Sequence, residues 1–99
     1  MDGHARIDTI SLELHRACAA KLRAHPELLE VARENLDRWS TLNSRSQPYW
    51  DAWRKMLDLP LDQLLNLMVD DSERMTALRH TSPFAGVLDI AERRAILQR

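Results

Sequence analysis

Residues 48–69 read PYWDAWRKMLDLPLDQLLNLMV, and the proline inside this stretch decides the fold. Tyr49, Trp50, Trp53, Met56 and Leu57 gather on one side of a helix. Beyond Pro60, Leu61, Leu64, Leu65 and Met68 repeat the pattern. Pro60 has no backbone N–H to donate and disfavours helical backbone at Leu59. The stretch therefore reads as two helices, about 48–57 and 60–69, with the break at Asp58-Leu59.

Working outward toward the start of the chain, Ile7, Ile10, Leu14, Cys18 and Leu22 recur at helical spacing and predict a helix over about 8–24, after a short polar segment (1–6) expected to be flexible. His25-Pro26-Glu27 reads as a restart, because proline is tolerated at the first helical position and glutamate suits the positive end of the helix dipole. The second helix runs to about residue 41 on a stripe of Leu28, Ala32, Leu36 and Trp39, antiparallel to the first. Asn43-Ser44-Arg45-Ser46-Gln47-Pro48 is the clearest loop. Toward the other end, Asp70 and Glu73 have capping-box spacing and introduce a helix over about 71–80, which Ser82-Pro83 ends. Asp89 and Glu92 repeat the spacing and open a last short helix to about residue 98, with Ile90, Ile96 and Leu97 as its apolar residues.

The bulk properties agree with that reading. Ninety-nine residues with 44% hydrophobic and 29% charged side chains suit one globular domain (1–99), and two glycines with few β-branched residues argue against sheet. The expected fold is all-α: a single small domain of five to six short helices in orthogonal or bundle-like packing.

Fourteen basic and 15 acidic residues leave a formal charge of −1, so no global field draws the chain to nucleic acid or an anionic membrane. The charge is uneven, however. Residues 58–73 hold Asp58, Asp62, Asp70, Asp71 and Glu73 with no Lys or Arg, whereas 74–99 hold five arginines against Asp89 and Glu92. Such a run is either a solvated face or a patch that meets a partner. With Cys18 as the only cysteine, no internal disulfide forms, and with no apolar leader or membrane span the expected location is cytoplasmic.

The constellations that carry chemistry are missing. There is no glycine-rich phosphate loop, paired-cysteine motif or His-Glu-x-x-His, and His4, His15, His25 and His80 are too scattered to share a helical face, so they read as surface or capping residues. Cys18 sits on an apolar stripe, where a thiol behaves as a small hydrophobe. No catalytic residue, metal ligand or cofactor is expected. Trp50 and Trp53 either fill the core or anchor an interface.

A helix-turn-helix over about 60–80 has nearly the right lengths, but Asp70, Asp71 and Glu73 would lead the recognition helix into the groove and repel phosphates, with only Arg74, Arg79 and His80 in relief. The run at 83–88 carries no charge; it must fold back on the core or be covered by a partner.

Asp70-Asp71-Ser72-Glu73-Arg74, then Leu78-Arg79, then Ser82-Pro83-Phe84-Ala85-Gly86-Val87-Leu88, together with Leu14-His15-Arg16, Ala19, Lys21-Leu22-Arg23, Ala32-Arg33 and Arg38-Trp39, resemble a group of small bacterial proteins with a C-terminal LRxxSPFAGVL signature. These look like antitoxin-like partners encoded in toxin–antitoxin loci. The resemblance implies a protein that is not an enzyme and that neutralises a cognate toxin by covering its active or substrate-binding site. The expected contact residues are Asp62, Asp70, Asp71, Glu73, Arg74, Arg79, Phe84, Val87 and Leu88. The alternative is a transcriptional regulator that reads promoter DNA, as a homo-oligomer, through the helix-turn-helix.

Overall fold

The computed structural model describes residues 3–42 and 44–98 and is all-helical over them. The helices are α1 (Gly3–Ala24), α2 (Leu29–Trp39), α3 (Gln47–Leu57), α4 (Leu61–Met68), α5 (Glu73–Arg79) and α6 (Ile90–Leu97), with one 3₁₀ turn at Pro26–Leu28. The expected all-α class is borne out. Among the described residues, no helix is long and apolar enough to cross a membrane.

The prolines act as the sequence predicts. Pro60 is the extended residue before α4, and the chain leaves α3 through tight turns at Asp58 and Leu59. Pro48 lies in the first turn of α3. Pro26 opens a 3₁₀ turn, so the second helix starts later than expected, at Leu29.

Two boundaries differ for physical reasons. Residues 1–2 of the expected flexible start lie outside the described residues, but helix already begins at Gly3, because Ala5 and Arg6 are good helix formers and nothing upstream of Asp8 interrupts them. The expected Asp70–Glu73 capping box does not form. Ser72 caps α5 instead, its hydroxyl accepting from Met75 N–H at 3.3 Å, while the Asp70 carboxylate accepts from Ser72 N–H at 2.9 Å. A serine in extended backbone next to the first turn outcompetes the aspartate two residues earlier. At α6 both halves of the Asp89–Glu92 box are present, at 2.7 and 2.9 Å.

The long α1 packs against α4, α5 and α6, and α2 packs against α3. Trp53 and Trp50 are core residues. Trp53 is fully buried, donates from Nε1 to Leu78 O at 2.9 Å, and meets the Phe84 ring edge-on at 5.4 Å. The buried face of α1 keeps the C-terminal part of the stripe read in the sequence and adds His15 to it. His15, Cys18 and Leu22 are buried, Leu14 is half-buried and Ile7 is exposed. Ile90 and Leu97 of α6 also face outward, leaving Ile96 as that helix's buried residue.

The uncharged 83–88 run folds back on the core. Pro83, Phe84 and Val87 are buried, and Gly86 turns the chain with φ of +94°, a conformation that side chains rarely adopt. From α2, the buried Asn35 donates to Pro83 O and Ala85 O, both at 2.8 Å, and so holds this segment through its backbone.

Candidate functional site

Two features stand out beyond the core: an acidic edge at the α4–α5 turn, and a knot of buried polar side chains beneath it.

The acidic stretch is divided by its partners. Asp58 pairs with Arg33 of α2 at 3.2 Å, and Asp62, at the start of α4, pairs with Arg23 of α1 at 3.0 Å. Both are exposed pairs of the kind that contribute little to stability, but they neutralise those two acids. Asp70, Asp71, Glu73 and Arg74 lie together, exposed, where α4 gives way to α5. Asp71 and Glu73 make no ion pair among the described residues. Asp62 is not part of this cluster: it lies in the first turn of α4, and Asp70 follows beyond the other end of that helix.

Beneath the edge, α4 ends at Met68 without a left-handed residue, so its last carbonyls need other donors. The Met68 carbonyl accepts from His15 Nδ1 at 2.9 Å and from Arg79 Nη1 at 3.4 Å. Arg79 also donates to Asp70 O and, through Nη2, to Thr76 Oγ1 at 3.1 Å. Positive and donor groups at a helix C-terminus complement the helix dipole. One nitrogen remains over: Arg79 Nε is buried with no acceptor, an omission that costs about 1–3 kcal/mol.

The sequence predicts a surface or capping residue at His15, which is instead 4% exposed. A carbonyl can only accept, so Nδ1 carries the proton and Nε2 accepts from the Ser82 hydroxyl at 2.7 Å. Ser82 Oγ in turn accepts from Phe84 N–H at 3.3 Å. Burial, aided by the charge of Arg79 and opposed by the Met68 hydrogen bond, lowers the His15 pKa to about 4. The wiring of serine, imidazole and orienting carbonyl is that of a nucleophile and its base. Yet an imidazole this weakly basic accepts a serine proton poorly, and the hydroxyl already caps the 82–84 turn, so we read the pair as structural. Burial likewise pushes the Cys18 thiol up to about 11, which keeps it protonated and unreactive. Among the described residues no group of His, Cys, Asp and Glu could hold a metal ion.

The structure thus corrects part of the expected contact set. Phe84 and Val87 are core side chains, and Arg79 is turned inward as a helix cap, so none of the three offers an exposed side chain to a protein partner in this fold. The cause is common to all three: the 83–88 run had an unpartnered apolar surface inside the molecule to cover, and the α4 terminus had carbonyls to satisfy. Leu88 is half-buried, while Asp62, Asp70, Asp71, Glu73 and Arg74 are exposed. His80, a supposed groove contact, is held by Asp8 at 3.0 Å.

Sequence reasoning missed His15 and Asn35 as structural residues, although spacing carried a signal. Positions 15, 18 and 22 share one face of α1, and 32, 35 and 36 one face of α2. No family model, curated protein or solved structure matches the chain.

Proposed function

We propose that this domain is an antitoxin-like protein-binding module that neutralises a cognate bacterial toxin by covering its active or substrate-binding surface, with Asp70, Asp71 and Glu73 as the contact. The observation that carries this reading is the exposed carboxylate cluster at the α4–α5 turn, which cross-helix arginines leave unneutralised, unlike Asp58 and Asp62. A basic cleft that handles nucleotides or nucleic acid complements such an edge, and charge complementarity of this kind governs association rate and specificity. Arg79 braces the turn from below, so the carboxylates stand on a fixed support.

The promoter-binding alternative draws no support from the same geometry. Carboxylates lead α5, Arg79 is withdrawn into the core, and Arg74 alone of the expected basic contacts stays exposed without an ion pair.

The test is co-expression with the product of the adjacent gene, followed by purification and titration of wild type against a triple variant, Asp70→Ala, Asp71→Ala and Glu73→Ala. We expect a complex whose affinity falls at least about tenfold in the variant and weakens with salt, while the variant, which also loses the Asp70–Ser72 hydrogen bond, stays folded with a stability loss of about 0.5–2 kcal/mol. Failure of the wild type to co-purify, or equal affinity of the two proteins, would refute the proposal.

A further inference from the structure

The contact edge leaves unused a half-open pocket of about 180 Å³ between α1, α6 and the 82–88 segment. Its apolar wall includes Leu14, Phe84 and Leu88, and its polar wall Ser11, Arg79, Arg93 and the His15–Ser82 pair. No aspartate or glutamate lines it. Arg79, one of the lining residues, is otherwise buried and donates to Met68 O, Asp70 O and Thr76 Oγ1. A pocket with two guanidinium side chains and an aromatic ring calls for an anion at one end and an apolar body at the other.

Size narrows the class. An apolar cavity of about 150 Å³ accommodates benzene, so about 180 Å³ has room for one ring with a small substituent. Charge narrows it further. Arg79 and Arg93 with no carboxylate beside them in the lining call for an anion, and the apolar wall of Leu14, Phe84 and Leu88 favours an organic anion over inorganic phosphate.

We propose that this pocket binds a small monocarboxylate of benzoate's size, its carboxylate accepting from Arg79 and Arg93 and its body resting on Leu14, Phe84 and Leu88. Binding also braces α6. That helix meets the core through one buried residue, Ile96, and is otherwise tied down by the Lys21–Glu92 ion pair at 2.6 Å. The inference does not depend on the toxin-binding reading, and its test uses the isolated chain.

The test is a titration of isotope-labelled full-length protein at neutral pH, followed by amide resonances, with sodium benzoate, benzamide and inorganic phosphate as separate probes. Saturable shifts with benzoate, clustered on residues 11–18 and 82–93 and with a midpoint on the order of 1 mM, are expected for a ligand of so few atoms. Benzamide, which has the shape without the charge, is expected to bind about tenfold more weakly, and phosphate to give no saturable shift in this region. Arg79 supports the fold, so the variant of choice is the exposed Arg93→Ala, expected to raise the benzoate midpoint roughly three- to tenfold with an unchanged spectrum elsewhere. The proposal is overturned by the absence of saturable benzoate shifts up to about 20 mM, by shifts centred outside this pocket, by benzamide or phosphate binding as tightly as benzoate, or by an Arg93→Ala protein that binds benzoate as wild type does.

Discussion

Acidification attacks this fold at one identifiable atom, Nε2 of His15. In the folded protein the imidazole is neutral, with Nδ1–H committed to Met68 O and Nε2 accepting from Ser82, and its pKa lies at about 4 against an ordinary 6.5. Between those two values the unfolded chain binds a proton that the folded chain refuses. Stability from this group is therefore complete above about pH 6.5, falls as the pH drops, and levels near pH 4, with a limiting slope of about 1.4 kcal/mol per pH unit. The full interval amounts to about 3 kcal/mol, and the part between pH 7 and pH 4.5 to about 2.5 kcal/mol. For a domain with about 5–15 kcal/mol in total, that is a large fraction.

The assay is urea unfolding by far-ultraviolet circular dichroism at a series of pH values, for wild type and His15→Asn. Asparagine keeps a donor for Met68 O but has nothing to titrate. It loses the Ser82 bond and the ring contacts with Trp53 and Phe84, so we expect the variant to be about 2–4 kcal/mol less stable at pH 7. Carboxylates titrate in both proteins, so the difference between the curves isolates His15: it should shrink by about 2.5 kcal/mol from pH 7 to pH 4.5. Parallel curves over that range would refute the reasoning, as would a His15 ring whose proton resonances titrate near pH 6.5.

Two further substitutions probe the 83–88 segment. Asn35→Ala removes the donors to Pro83 O and Ala85 O and is expected to cost about 3 kcal/mol in urea unfolding, with Phe84 losing protection from solvent. Gly86→Ala forces a side chain into backbone at φ of +94° and sets its Cβ at 3.4 Å from Val31 Cγ1; a loss of about 1–2 kcal/mol is expected, and a neutral or stabilising result would mean that this turn adopts another conformation in solution.

What was legible in the sequence and what was not divide along a physical line. Signals that act within a few residues were readable: Pro60 breaking one helix into two, Asp89 and Glu92 capping α6, the Trp50 and Trp53 face of α3. The acidic edge was readable as composition, but its division into paired and unpaired carboxylates was not, because the pairing of Arg23 with Asp62 spans 39 positions. Polarity alone puts residues such as His15, Asn35 and Arg79 in water. Each is buried because the carbonyls it serves lie in segments remote in sequence, or in a turn whose path the local pattern does not specify. Inverting that inference places Phe84 and Val87 inside: an apolar run held at its backbone by Asn35 has its side chains directed at the core.

A common cause underlies these exceptions. Helices ordinarily close their C-termini with glycine in the left-handed conformation, which lets the chain turn back and satisfy the last carbonyls locally. This chain has only Gly3 and Gly86, and Gly86 is occupied in the 83–88 turn. Local turns meet many of the carbonyls at its helix ends, Leu36 O from Ser40 N–H and Lys55 O from Asp58 N–H among them, and long side chains from other elements add to these: Met68 O accepts from His15 and Arg79, Leu57 O from Arg33 at 3.0 Å, and Leu78 O from Trp53 as well as from Thr81. Termination at these three ends is thereby in part a tertiary property. N-terminal ends, set by proline, serine and aspartate within a few residues, can form before the domain assembles, whereas these C-terminal ends are complete only once their neighbours are in place. Leu78-Arg79 and Ser82-Pro83-Phe84 take part in this arrangement. Those residues accept from Trp53, cap α4, hold His15 and fill the core, so in this chain they support the fold beneath the exposed acids of the α4–α5 turn.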